Sequence, residues 1–531
     1  MIQTIQTISA DSSDVHRLNN IGKHHFSTKN YEEAKQLFLS SLTIDPDQLE
    51  ILALMGVLFF LENNFLASIS YLTKVIELQP KNSYAFSNRG LAYHHVCKYQ
   101  EALLDFDNSI TLDSSNYQAY LNQACTLIEL EKYSDALDSL HKACNINQGC
   151  STLHLNFAIV YSKIELYELA LNHINVVIQA DPLNAKWHLE KGLILQNMRS
   201  IDLAIESFKR CLEINPAYID PAWNLSLLYL LKGDFVLGWE LYEQRFLLSH
   251  FKHVLRNYSN DRLRDLFIFG KVVLVYHEQG FGDIIQFSRY VLLLKEFCSK
   301  VVLEVPTQLV TIMQSLSKDI QVVSSSEGIY FDLHTPLLSL PKLFATQLYT
   351  IPHMPSYLKP AKGKVQDWRN RINSHRMKVG LVITGSSHYG SKKKIPLREC
   401  DSLLNVEADF YILQNEISED DLIYMKKFDN IYEYHKEIKD FSDTASLIAN
   451  MDLVISVDTA TAHLAGAIGK PVWVMLPFVA DFRWLMNTSS SPWYPSATLY
   501  RQGEDRSFAP VIKNIASDIK SFKKLATQVE E

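Results

Sequence analysis

The chain has 531 residues, of which 47% are hydrophobic and 21% charged, and a formal net charge of −8. That length exceeds one ordinary core and predicts two or three domains. The acidic balance argues against a nucleic-acid partner, which calls for a basic surface. The cysteines (Cys97, Cys125, Cys144, Cys150, Cys211, Cys298 and Cys400) are scattered, and none forms a C-x-x-C pair. They read as small core residues in a reducing compartment, not as a disulfide frame or zinc site. Met1–Ser13 lacks the basic segment and apolar run of a signal peptide. Apolar runs such as Ile51–Leu61 fall short of a membrane span. A cytoplasmic protein is expected.

Residues 1–14 read as a tail or cap. From Val15 the sequence repeats every 34 residues, seven times and without insertion. The units start at Val15, Leu49, Ser83, Tyr117, Ser151, Ala185 and Ile219. Their eighth positions are small: Gly22, Gly56, Gly90, Ala124, Ala158, Gly192 and Ser226. So are their twentieth positions: Ala34, Ser68, Ala102, Ala136, Ala170, Ala204 and Gly238. Proline stands near the end of four units, at Pro46, Pro80, Pro182 and Pro216. Small residues let two helices approach closely, and proline stops the second helix before the next unit begins. This pattern resembles the tetratricopeptide repeat (TPR), a helical hairpin that stacks into a superhelix. It predicts an α-solenoid of seven TPR repeats over 15–248.

The sixth position of the units reads Asn20, Leu54, Asn88, Asn122, Asn156, Glu190 and Asn224. Asparagine costs about 0.5 kcal/mol against alanine within a helix, so five at one register need a reason. The position lies on the first helix of each unit, which faces the concave groove in TPR arrays. A carboxamide carries a donor and an acceptor and can pair with a peptide unit on both. Asn20, Asn88, Asn122, Asn156 and Asn224 are therefore candidates for holding a polypeptide acceptor, with Leu54 and Glu190 dividing the row. The same groups could instead bond across to neighbouring repeats and fix the stack. Trp239, Tyr242 and Phe246 close the last unit as an aromatic cluster that could cap the stack or dock it on the next domain.

Residues 249–264 read as a linker. Beyond them the pattern changes to strand and helix in alternation. Val272–Tyr276, Val301–Val305 and Ile320–Val323 are strand candidates, with a helical stretch at Ile284–Phe297. A second block comes after Pro352–Gly363, with strand candidates at Val379–Thr384, Phe410–Leu413, Leu453–Val457 and Pro471–Leu476. Two Rossmann-like halves, 265–360 and 375–531, predict an α/β fold of the GT-B type, with ligands at the carboxyl ends of the strands.

Glu278-Gln279-Gly280-Phe281-Gly282-Asp283 comes directly after the first strand of the first half. Its glycines let the backbone turn sharply beside a ligand, and Asp283 is both a candidate base and a candidate helix N-cap. In the second half a strand ends at Val457, and Asp458 and Thr459 open a helix containing Ala460, Ala462, His463 and Ala465. A helix N-terminus offers unpaired N–H groups and a positive dipole end, a seat for a diphosphate. His463 lies one turn in, on the face of Thr459.

The stretches Glu278–Tyr290, Asp458–Gly466 and Pro471–Pro477 together resemble the glycosyltransferase family 9 (heptosyltransferase-like) domain as it occurs behind TPR arrays. The whole architecture is similar to that of the O-GlcNAc transferases, which use an asparagine ladder of this kind to hold peptide. The resemblance implies an inverting, metal-independent transfer from a nucleotide-diphosphate sugar. It makes Asp283 and His463 the catalytic candidates. It implies donor contacts from Gly282, Gln286, Thr384, Gly385, Lys393, Lys394, Asp458, Thr459, Ala460 and His463. Where relatives carry arginines and a Trp-Ser-Gly turn, this chain reads Ile383-Thr384-Gly385.

No D-x-D triplet occurs after residue 265; Asp45-Pro46-Asp47 and Asp105-Phe106-Asp107 lie within the repeats. This agrees with the metal-independent transfer that the resemblance implies; no cofactor is expected, and leaving-group charge falls to backbone amides and to cations such as Lys392, Lys393 and Lys394. The functional expectation is a protein glycosyltransferase whose TPR groove holds a polypeptide. The alternative is a TPR scaffold with a catalytically inactive transferase-like domain.

Overall fold

The computed structural model describes residues 12–147, 149–252, 254–372, 374–385 and 394–530. It divides into two compact units, one ending at Leu195 and one beginning at Gln196. Among the described residues no helix is long and apolar enough to cross a membrane.

The repeats are helical hairpins in the expected register. First helices run Ser12–Ser27, Leu49–Leu61, Ser83–His95, Tyr117–Glu129, Ser151–Lys163, Ala185–Asn197 and Ile219–Lys232. Second helices run Tyr31–Ile44, Phe65–Leu78, Tyr99–Leu112, Tyr133–Ile146, Tyr167–Ala180, Ile201–Ile214 and Phe235–Tyr242. The turn inside each hairpin places one residue in the left-handed region: Lys29, Asn63, Cys97, Glu131, Glu165, Arg199 and Gly233. Only the last is glycine, so hairpin packing holds the other side chains in a backbone state they disfavour.

Close helix approach explains the small eighth position. A Cβ on Gly56 would lie 2.7 Å from Leu72, and one on Gly90 2.8 Å from the Phe106 ring. Phe38 meets Gly22 in the same way, and Phe38, Leu72 and Phe106 are buried, as are Leu140, Ile174 and Phe208 at the same position of the later units. Arg89 reaches Asp105 with two N–H···O contacts of 2.8 Å, an ion pair inside the third hairpin.

The second compact unit carries two parallel sheets. The first is formed by β1 (Asp261–Arg262), β2 (Val272–Tyr276), β3 (Lys300–Glu304), β4 (Ile320–Val323) and β5 (Leu333–Pro336), in the order β1-β5-β2-β3-β4. The second is formed by β6 (Met377–Val382), β7 (Ala408–Ile412), β8 (Ile431–Glu433), β9 (Leu453–Val457), β10 (Val472–Leu476) and β11 (Ala497–Arg501), in the order β11-β10-β9-β6-β7-β8. β2, β7, β9 and β10 are nearly or wholly buried, as two-sided parallel strands require. Each sheet reverses its winding once, between β2 and β5 and between β6 and β9. Ligands of open parallel sheets bind at such switch points, beyond the carboxyl ends.

The stretch expected as a linker, 249–264, includes β1, which pairs in parallel with β5. The helix expected at Ile284–Phe297 is two short ones, Phe281–Phe287 and Arg289–Leu294. The aromatic cluster of the last repeat docks within this unit: Trp239 meets Phe287 at 5.7 Å and Phe482 at 5.9 Å between ring centroids.

Phe106→Ala removes a fully buried ring from the third hairpin. It is expected to cost about 3–5 kcal/mol, read as an earlier transition in denaturant unfolding. Gly90→Val, which drives new atoms into that ring, is expected to cost about 1–3 kcal/mol.

Candidate active site

The loop after β2 is built around Glu278. Its carboxylate takes both forks of Arg245, at 2.7 and 2.8 Å, and accepts the Leu338 amide at 2.9 Å. Arg245 lies just past the last helix of the array and its side chain has no exposed surface; Glu243 and the Ser339 hydroxyl complete its shell. Tyr242 bonds Gln279 through its hydroxyl. The end of the array thus pins the loop that leads to Asp283.

Gly280 caps the helix Phe281–Phe287, and Asp283 sits in its first turn, where its carboxylate accepts the Gly280 amide at 2.9 Å. That corrects the expectation that Asp283 is itself the N-cap. The other carboxylate oxygen pairs with Arg483, which also binds Asp481 at 2.7 Å. Burial pushes the Asp283 carboxyl above the ordinary range; Arg483 and the Gly280 amide oppose this, while Asp481 and Asp458 add to it.

The helix Phe281–Phe287 lies against the helix Ala460–Ala467. A Cβ on Gly282 would stand 2.8 Å from the His463 ring and 3.5 Å from the Ala460 backbone. The missing side chain therefore permits the approach that brings Asp283 and His463 to one seam between the sheets. His463 is buried, bonds the Tyr494 hydroxyl through Nδ1 at 3.0 Å, and stacks on Trp484 with 5.3 Å between centroids. Its Nε2 stands 3.8 Å from Asp458. Thr459 is the N-cap of its helix, but its hydroxyl turns to Ser456 at 3.0 Å and makes no side-chain cap. The Ala460 end of the helix is thus available to an acceptor other than that side chain.

Other expected donor residues are less closely tied to this seam. Gln286 is fully buried, and neither atom of its carboxamide has a hydrogen-bond partner among the described residues. Thr384 stands just past β6, with its amide on Gln414 at 3.2 Å and its backbone bridged to Lys394. Gly385 is next to it, at the edge of the described segment. Lys392 and Lys393 lie outside the described residues.

The sequence reading missed the segment Asp481–Tyr494. It supplies Arg483, Trp484 and Tyr494 to the seam, and its Trp493 carbonyl accepts Arg289 at 2.7 Å. Two of the chain's tryptophans, Trp484 and Trp493, stand close together in a stretch without strand or helix periodicity. That aromatic density was the available signal.

Of the candidate acceptor asparagines, Asn156 donates to Cys125 Sγ of the preceding repeat at 3.2 Å, and Asn122 accepts from Gln118 at 2.9 Å. Asn224 bonds the Asp220 carbonyl of its own helix. Asn20 is exposed and Asn88 half-buried. Glu190, at the same register, is half-buried, and burial raises its carboxyl against the pull of Lys186 and Lys163.

With this geometry in view, comparison with known proteins is informative in parts of the chain. The glycosyltransferase family 9 (heptosyltransferase) family model matches residues 439–475, which contain β9, the His463 helix and most of β10. The tetratricopeptide repeat model matches residues 15–48 and 186–218. Together they support a TPR array joined to a glycosyltransferase-like domain. Protein FlbA of Caulobacter vibrioides is 24% identical over 319 residues, covering 54% of this chain and 52% of that protein. The chain therefore spans about half the length of this curated relative. Among solved structures, Pseudomonas aeruginosa PilF is 18% identical, with a TM-score of 0.36, over 40% of this chain and 96% of that one. The TPR protein YrrB is 18% identical, with a TM-score of 0.30, over 35% of this chain and 95% of that one.

Arg245→Ala would strand the Glu278 carboxylate, whose side chain is wholly buried. The expected cost is about 3–5 kcal/mol in denaturant unfolding, the range for removing one member of a buried ion pair.

Proposed function

We propose that the protein is a glycosyltransferase moving a sugar from a nucleotide-diphosphate sugar to a polypeptide acceptor, acting in the cytoplasm. The observation that carries this reading is the packing of Gly282 on His463, which gathers a carboxylate, an imidazole and a helix N-terminus at one seam. The family 9 match over the same helix supports it. In the reaction we propose, Asp283 takes the proton of an acceptor Ser or Thr hydroxyl as that oxygen attacks the anomeric carbon. The bond to the leaving diphosphate breaks on the opposite face, so configuration inverts. The diphosphate charge is met by amides at Thr459 and Ala460, by His463 and by a lysine such as Lys394, without a metal. In this reading the TPR array holds the polypeptide.

A second reading has its own support. Asp283 is engaged by Arg483 and the His463 ring is covered by Trp484, an arrangement that suits a scaffold whose transferase-like domain no longer turns over. Nucleotide binding separates the two. Under the transferase reading one of UDP, ADP, GDP or CMP raises the thermal midpoint. A ligand at a hundred times its Kd stabilises by about 2.7 kcal/mol. No shift with any of them favours the scaffold.

Asp283→Asn and His463→Ala are each expected to lower sugar transfer at least a hundredfold; unchanged turnover in both would remove this seam from consideration. Asp283 acts only when ionised and burial raises its carboxyl, so kcat/KM should fall as pH falls, with the acid limb above the ordinary carboxylate range. Replacing Asn88, Asn122 and Asn156 together with alanine should abolish acceptor binding in a pull-down with labelled polypeptide. Retained activity would point to a glycan acceptor.

A further inference from the structure

We propose that His154 and His173 form an acid-sensitive joint in the fifth repeat, and that protonation of the pair loosens the hairpin it closes. The inference goes beyond the transferase reading and does not depend on it.

Three helices bring histidines together. His154 lies on the helix Ser151–Lys163, His173 on the helix Tyr167–Ala180 and His141 on the helix Tyr133–Ile146. The Nδ1 atoms of His154 and His173 face each other at 2.9 Å. His173 stacks on the buried Phe157, with 4.8 Å between centroids, and on Tyr161 at 5.6 Å. His141 meets the Phe157 ring at 5.1 Å. His154 and His173 are half-buried and His141 is exposed. The hairpin does not need imidazoles at these positions. There the second repeat carries Leu52 and Tyr71, the third Phe86 and Asp105, and the fourth Tyr120 and Ser139.

The contact between the rings limits how many protons they hold. A hydrogen bond between two imidazole nitrogens contains one hydrogen: one ring donates and the other accepts. One added proton can be accommodated, because the ring left neutral can carry its hydrogen on Nε2 and accept from the charged one. A second cannot. Two imidazolium rings would point N–H groups at each other, and like charges at that distance repel strongly where water is partly excluded.

No carboxylate relieves the pair. Burial holds His173 below the ordinary imidazole range, and the charges of His154 and His141 add to this. Of the other charged groups on the three helices, Lys142 lies over the Tyr120 ring at 6.0 Å and Lys163 acts on Glu190. Asp135, Asp138 and Glu168 are exposed. Among the described residues no carboxylate hydrogen-bonds either ring. The folded hairpin therefore takes up fewer protons than the unfolded chain below the ordinary imidazole pKa of about 6.5. Its stability is complete at neutral pH and falls as pH drops. Excluding one proton between pH 7.5 and 5.5 shifts the opening equilibrium about tenfold. Asn156 stands on the same helix as His154, so the loosening reaches the row of asparagines.

The test is hydrogen exchange read by mass spectrometry on the full chain at pH 7.5 and 5.5. Rates are corrected for intrinsic pH dependence and taken where exchange follows the opening equilibrium. Peptides from 151–180 should lose about tenfold more protection on acidification than peptides from 49–78, a hairpin without histidine. The variant His154→Tyr/His173→Ser gives the fifth repeat the pair of the fourth, and the excess loss should disappear in it. Should that variant prove misfolded by circular dichroism at pH 7.5, His154→Gln leaves one imidazole, and the excess should fall several-fold. Equal losses from the two hairpins of the wild type, or an excess that persists in the variants, overturns the proposal.

Discussion

A side chain of one hydrogen at Gly282 sets the geometry of the seam. The first helix of one sheet and the His463 helix of the other can touch only because nothing projects from Gly282, where a Cβ would meet the imidazole at 2.8 Å. Their approach puts Asp283 and His463 at the junction of two switch points. A second glycine extends the constraint: a Cβ on Gly466 would lie 2.5 Å from the Tyr494 ring, whose hydroxyl orients His463. The site is thus set by where side chains are missing as much as by where they are present.

Buried arginines hold the surrounding loops. Arg245 joins the end of the array to the Glu278 loop, Arg289 joins the first sheet's helices to the Trp493 carbonyl, and Arg483 joins Asp481 to Asp283. Each links residues far apart in sequence through a planar group with several fixed donors. Arg289, surrounded by the rings of Tyr357, Trp493 and Tyr494, is held by carbonyl and hydroxyl oxygens. Arg483 has a double effect. It offsets part of the desolvation of Asp283, and it occupies a carboxylate oxygen that a base would use.

The repeats were legible because a 34-residue period places every close contact at a fixed offset, so Gly90 and Phe106 could be read together. The strands β2, β3, β6, β7, β9 and β10 were legible for a related reason: burial on both faces leaves runs of hydrophobic residues, whereas the edge strand β4, mostly half-buried, was legible from its β-branched residues. β1 has only two residues, β5 contains His334 and Pro336, β8 is largely exposed, and β11 is mixed, so none carries that signature. The division at Leu195 leaves no trace in the sequence, because the repeat register runs through it unbroken. Asp283 and His463 announced themselves by standing just after strands with small neighbours. Arg483, Trp484 and Tyr494 did not, since they come from a long loop between β10 and β11 where side-chain direction is set by tertiary contacts and by no local period.

The most direct measurement is a structure of the full chain with a bound nucleoside diphosphate. The account predicts the terminal phosphate at the amides of Thr459 and Ala460, within hydrogen-bonding reach of His463, with Asp283 facing the space where the sugar would extend. A nucleotide bound away from that helix end, with Arg483 still on Asp283 and Trp484 still on His463, would contradict it.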